Sequence, residues 1–105
     1  MYNISAVELK ERLDKGEDIQ LIDVREAYEL EIASIGGEHI PMNMILNNLD
    51  KISKEKPVVV YCRSGRRSAS VIAALEERYG YTNLMNLGGG ILEWAEDVDP
   101  AMESY

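Results

Sequence analysis

Val58-Val59-Val60-Tyr61 is a run of four apolar residues with no alternation, and it constrains the chain more than any other stretch. A strand with one face in water alternates apolar and polar side chains. An unbroken β-branched run bounded by Pro57 instead reads as a strand covered on both faces, as in a parallel sheet with helices on each side. Cys62 stands at the carboxyl end of this run. After it come Arg63-Ser64-Gly65-Arg66-Arg67, and then Ala69, Ile72, Ala73, Leu75 and Tyr79 recur at helical spacing up to Gly80, which is placed to cap a helix C-terminus. A buried strand therefore delivers a cysteine into a loop that opens a helix. Ligands of such sheets bind outside the carboxyl ends of the strands.

The flanking sequence repeats the alternation. Ser5-Ala6-Val7-Glu8 has the form of a capping box, and Ala6, Leu9 and Leu13 follow at helical spacing until Gly16. Residues 19–24 read as a strand, 27–33 as a short helix, and His39-Ile40-Pro41-Met42 as a brief extended piece. Met44, Ile45, Leu46, Leu49 and Ile52 predict a further helix, Leu84-Met85-Asn86-Leu87 another strand, and Ile91, Leu92, Trp94 and Ala95 a final helix after Gly88-Gly89-Gly90. Strands and helices that alternate through connections too long for hairpins specify an α/β, three-layer sandwich with a parallel sheet and helices on both faces. There is no internal repeat, and the three prolines are too scattered to mark a hinge, so residues 1–105 read as a single domain.

Charge and cysteine count narrow the functions. Lys and Arg number 11 against 19 Asp and Glu, a net charge of −8, which disfavours a nucleic-acid partner because phosphate binding needs a cationic surface. The first residues lack a basic segment followed by an apolar stretch, and no apolar run approaches the ~18 residues of a membrane span. A cytoplasmic protein without a membrane partner is expected. One Cys and one His can form neither an internal disulfide nor a four-ligand zinc site. No metal or other cofactor is expected, and the thiol is free.

That thiol has unusual neighbours. Three of the chain's six arginines, Arg63, Arg66 and Arg67, lie within five residues of Cys62, in a chain of strongly negative charge. Cations and a helix N-terminus both favour thiolate over thiol. Gly65 lets the loop curl so that backbone N–H groups between Ser64 and Ser68 can point inward at an anion. Cys62 is thus a candidate nucleophile, with Arg63, Ser64, Gly65, Arg66 and Arg67 as a candidate substrate-binding loop whose cations act on an anion more than on folding. The plainer alternative makes Cys62 a core residue and the arginines a solvated turn. The conjunction of buried strand, glycine-bearing cationic loop and helix start favours the first reading.

Four motifs in order then resemble the rhodanese domains: Leu21-Ile22-Asp23-Val24-Arg25-Glu26, His39-Ile40-Pro41, Val59-Val60-Tyr61-Cys62-Arg63-Ser64-Gly65-Arg66-Arg67-Ser68, and Asn86-Leu87-Gly88-Gly89-Gly90-Ile91 with Trp94. The resemblance implies a central parallel sheet of about five strands, Cys62 as a persulfide-forming residue, and the loop from Cys62 to Arg67 as the active-site cradle. It implies transfer of sulfane sulfur from a small anionic donor such as thiosulfate to a thiophilic acceptor, either cyanide, an external thiol or a sulfur-carrier protein. With one cysteine, no second thiol in the chain can resolve the persulfide. The longer approach to His39, Ile32-Ala33-Ser34-Ile35-Gly36-Gly37-Glu38, together with Met42 after the Pro, resembles rhodanese domains fused to enzymes that adenylylate sulfur-carrier proteins.

Other residues take supporting roles. Asp23, Arg25 and Ser68 are expected to hold the loop, with substrate contact by Arg25 left open. His39 and Trp94 read as structural, Gly88-Gly89-Gly90 as close packing, Glu26 as surface, and Asp97 and Asp99 as a solvated helix end. Two other functions compete. Cysteine-type phosphatases and arsenate reductases also ionise a Cys in a cationic cradle, but use Cys-x5-Arg where this chain has Cys-x4-Arg. A non-catalytic or sulfur-carrier protein-interaction module is the other, although such domains often lack the cysteine.

Overall fold

The computed structural model describes residues 1–105. In chain order its elements are β1 (Tyr2–Ile4), α1 (Ala6–Asp14), β2 (Gln20–Asp23), α2 (Ala27–Ile32), β3 (Glu38–His39), two 3-10 helices (Met42–Asn47 and Leu49–Lys51), β4 (Val58–Tyr61), α3 (Arg66–Tyr79), β5 (Leu84–Leu87) and α4 (Gly90–Asp97). The five strands form one parallel sheet in the order β1-β5-β4-β2-β3, so the apolar run is its central strand.

The pleat explains why that run has no polar position. Val58 and Val60 face a core built with Ile22, Ile45, Ile72 and Leu75, under α3 and the 3-10 segment. Val59 and Tyr61 face the opposite core, with Leu9, Leu87, Ile91 and Trp94 under α1 and α4. Successive side chains of a strand point to opposite sides, and here both sides are covered, giving the expected α/β sandwich. Leu75 is fully buried, and truncating such a side chain to Ala costs about 2–5 kcal/mol. No helix is long and apolar enough to cross a membrane.

Three local expectations change. The strand β1 was not anticipated: only Ile4 of its three residues is buried, and its pairing with β5 supplies the order that its own pattern lacks. The capping box forms by half. Ser5 Oγ accepts from the Glu8 N–H at 3.1 Å, but the Glu8 carboxylate accepts from the Tyr2 hydroxyl at 3.2 Å, and Glu93 of α4 takes the Ala6 N–H at 2.7 Å. The helix expected over residues 44–52 is two 3-10 pieces. Asn48 breaks it at φ −133°, with its Nδ2 donating to the Met44 carbonyl at 2.8 Å. Met42, Met44 and Leu46 stay exposed, so no apolar stripe holds an α-helix there.

Candidate active site

Beyond β4 the chain curls because two glycines permit it. Gly65 has φ +94°, and a Cβ there would lie 2.2 Å from the Gly88 carbonyl oxygen. Gly90 has φ +64°, and its Cβ would lie 2.2 Å from the Arg63 carbonyl oxygen. The loop after Cys62 and the triple-glycine turn are therefore pressed together backbone to backbone, a contact only residues without side chains allow. The first N–H groups of α4 complete the contact: Ile91 donates to the Cys62 carbonyl at 3.0 Å and Leu92 to the Arg63 carbonyl at 3.1 Å.

Within this curl Cys62 is 1% exposed and its Sγ accepts hydrogen bonds. The donors are the Gly65 N–H at 3.1 Å and the Ser68 N–H at 3.5 Å, while Ser68 Oγ, 3.4 Å away, pairs with the sulfur as either donor or acceptor. Burial pushes the thiol up, but the Ser68 hydroxyl and the N–H groups of Ser68, Gly65 and Ser64 outweigh it and bring Cys62 below its ordinary value. Hydrogen bonds dominate here, where the sequence pointed to cations. Ser68 is buried beneath the sulfur, and its hydroxyl donates to Asn86 Oδ1 of β5 at 2.5 Å.

The arginines divide by partner. Arg67 forms a two-pronged ion pair with Glu29 of α2, at 2.8 and 2.9 Å. The Arg63 guanidinium binds the Tyr105 carbonyl oxygen and lies 5.0 Å from the centre of the Tyr105 ring. Arg66 and Ser64 are exposed. The loop cations expected to serve an anion are thus not equivalent: the Arg67 guanidinium is also engaged by a buried carboxylate. Arg25 is fully buried and spends its donors on Asp23, the carbonyls of Glu29 and Ala33, and the Tyr105 hydroxyl. No donor of Arg25 is left for a substrate. Asp23 also accepts the Arg25 N–H at 3.0 Å, and His39 Nε2 donates to the Arg25 carbonyl at 2.6 Å, so both hold the chain beside the loop.

Three contributors were missed from the sequence. Asn86 carried a signal, being a polar residue inside a strand with both faces covered. Glu29, one of two acids on a short helix, and Tyr105, beyond the last periodic segment, carried none.

The family model for the rhodanese-like domain matches residues 5–97. The chain is 35% identical over 105 residues to the probable adenylyltransferase/sulfurtransferase MoeZ of Mycobacterium tuberculosis, covering 97% of this chain and 26% of that protein. It thus spans about a quarter of that relative's length. Over 93 residues it is 39% identical to a sulfurtransferase of Allochromatium vinosum, with 88% and 86% of the two chains covered. Its fold superposes on a rhodanese-like domain protein from Staphylococcus aureus with a TM-score of 0.83 and 30% identity, over 100% of this chain and 99% of the other.

Proposed function

The chain belongs to the rhodanese-like domain family, and on that premise we propose that it is a sulfurtransferase in which Cys62 carries sulfane sulfur as a persulfide. The observation that carries this reading is the position of Sγ at the end of the central strand, held by the N–H groups of Gly65 and Ser68. The Cys62 thiolate attacks the outer sulfur of a donor such as thiosulfate. A new S–S bond forms, the donor's S–S bond breaks, and sulfite leaves with the electron pair. The product Cys62-S-S⁻ is anionic, and the loop N–H groups are placed to stabilise it. Cyanide, an external thiol or a sulfur-carrier protein then takes the terminal sulfur and restores the thiolate.

Residues 1–105 act as one domain in this scheme, without metal or cofactor, and the free thiol suits a reducing, cytoplasmic setting. Donor anions approach over Ser64 and Arg66, the exposed side of the loop, while Asp23, Arg25, Arg67 and Ser68 hold it in shape. Phosphatase chemistry fits less well. The cradle is a residue shorter than Cys-x5-Arg, and the arginine that would grip a phosphoryl group is Arg67, already engaged by Glu29. Conversion of thiosulfate and cyanide into sulfite and thiocyanate, lost in Cys62→Ser, tests the proposal. Hydrolysis of an aryl phosphate at a comparable rate, dependent on Cys62, would reverse the choice between the two enzymes.

A further inference from the structure

Asn86 is 4% exposed and pairs with Val60 across β4 and β5, in a part of the sheet covered on both sides. Sulfur transfer as described above does not use it. Its Nδ2 group donates to the Gly65 carbonyl at 3.1 Å and to Asn3 Oδ1 at 3.2 Å. Turning the amide over would set two oxygens against each other at Gly65, so the network fixes Oδ1 toward Ser68 Oγ, 2.5 Å away. The Ser68 hydroxyl has one proton and, on its other side, a second acceptor in Cys62 Sγ at 3.4 Å.

We propose that Asn86 is a positioning residue that sets the ionisation of Cys62 by competing with the thiolate for the single Ser68 hydroxyl proton. In the thiol form every group is served: the Cys62 S–H donates to Ser68 Oγ, and the Ser68 O–H donates to Asn86 Oδ1. When the thiol gives its proton to solvent, the hydroxyl has two choices. It turns to Sγ and leaves a buried carbonyl unpaired, or it stays with Asn86 and presents a lone pair to an anion; both are unfavourable. Asn86 therefore holds the thiol above the value that the loop N–H groups and Ser68 would otherwise give. In the persulfide the inner sulfur is uncharged, and the hydroxyl returns to Asn86.

Among charged neighbours only Arg67 couples electrostatically to Cys62, and hydrogen bonds outweigh it in setting the thiol. Arg67 of α3 is bound by Glu29 of α2, Arg25 by Asp23 at the end of β2, and Glu93 of α4 by the Ala6 N–H. Arg63 and Arg66 lie on the exposed side of the loop, and β5 has no charged residue.

The proposal rests on Cys62 being a working thiol, but its test reads ionisation rather than turnover. A chain that ionises as described yet moves no sulfur would sink the function and leave this relay standing. The probe is the pH profile of Cys62 alkylation by iodoacetamide, followed by intact mass, which the single cysteine makes unambiguous. Asn86→Leu, with the same side-chain branching and heavy-atom count but no acceptor, should lower the Cys62 pKa by about one unit, tenfold in the ionisation constant. Ser68→Ala should raise it, and the double variant should match Ser68→Ala, because the competition for the proton runs through the hydroxyl. If Asn86→Leu does not fold, the wild-type protein still answers. The carbon-13 resonance of Asn86 Cγ should move upfield with the Cys62 midpoint as its hydrogen bond is withdrawn, and should not do so in Ser68→Ala. An unchanged or raised pKa in folded Asn86→Leu, or a Cγ resonance indifferent to the thiol, overturns the proposal.

Discussion

Glu29 closes on Arg67 through two parallel hydrogen bonds, 2.8 Å to Nη1 and 2.9 Å to Nη2, joining α2 to the first turn of α3. The same carboxylate accepts the Tyr105 hydroxyl at 2.9 Å and the Glu26 N–H at 2.8 Å. A buried acid with four such donors is a fixed point of the structure. The three loop arginines consequently differ: Arg67 anchors the loop, Arg63 is tied to Tyr105, and Arg66 has no side-chain partner to give up before meeting an anion.

Arg66→Ala and Arg67→Ala should therefore fail in different ways. Arg66→Ala should lower kcat/KM for thiosulfate by about tenfold, chiefly through KM, while altering stability by less than about 0.5 kcal/mol. Arg67→Ala should cost about 1–2 kcal/mol of stability. Breaking a wholly buried pair costs about 3–5 kcal/mol, and the figure is discounted because the Arg67 side chain is 35% exposed. Chemical denaturation and steady-state kinetics on both variants separate the two roles. Equal loss of stability in both would remove the distinction.

The pair also imposes an acid limit. The Arg67 guanidinium, opposed by burial, holds the Glu29 carboxyl down at about 2, against an ordinary value near 4.5. A carboxyl depressed by folding adds stability that is complete above its unfolded value and is lost as the pH falls from about 4.5 through about 2. The Tm difference between wild type and Glu29→Gln should be widest near neutral pH and shrink across that window. A gap that stays constant from neutral pH to pH 2 would show the ion pair to be without effect on stability.

What the sequence revealed follows from how local each signal is. The strand Val58–Tyr61, the loop from Cys62 and the helix to Gly80 were legible because their pattern is continuous and each side chain's burial follows from its own element. The strand Tyr2–Ile4 was not, since Tyr2 and Asn3 are exposed and its order comes from a partner more than eighty residues away. Glu29 was invisible for a related reason: an acid on a short helix defaults to solvent, and three of the four hydrogen bonds that make its burial tolerable come from Arg67 and Tyr105, distant in sequence. Asn86 could have been found, because an amide in a strand covered on both sides must have partners.

Two glycines with the same backbone sign should respond differently to a methyl group. Gly80 has φ +69° and open space around it, so Gly80→Ala should cost only about 1–2 kcal/mol of left-handed strain. Gly90→Ala adds a clash with the Arg63 carbonyl to that strain. A cost of about 2–5 kcal/mol is expected, together with slower sulfur transfer, because the displaced carbonyl belongs to the cradle. Thermal melts and thiosulfate kinetics decide this. A Gly90→Ala protein as stable and as active as Gly80→Ala would mean the turn does not press on the loop.

The most direct test of Cys62 as a sulfur carrier is intact mass on freshly reduced protein after exposure to thiosulfate. The account predicts a gain of one sulfur atom, its removal by cyanide, and no gain in Cys62→Ser. An unchanged mass across a range of thiosulfate concentrations would contradict it.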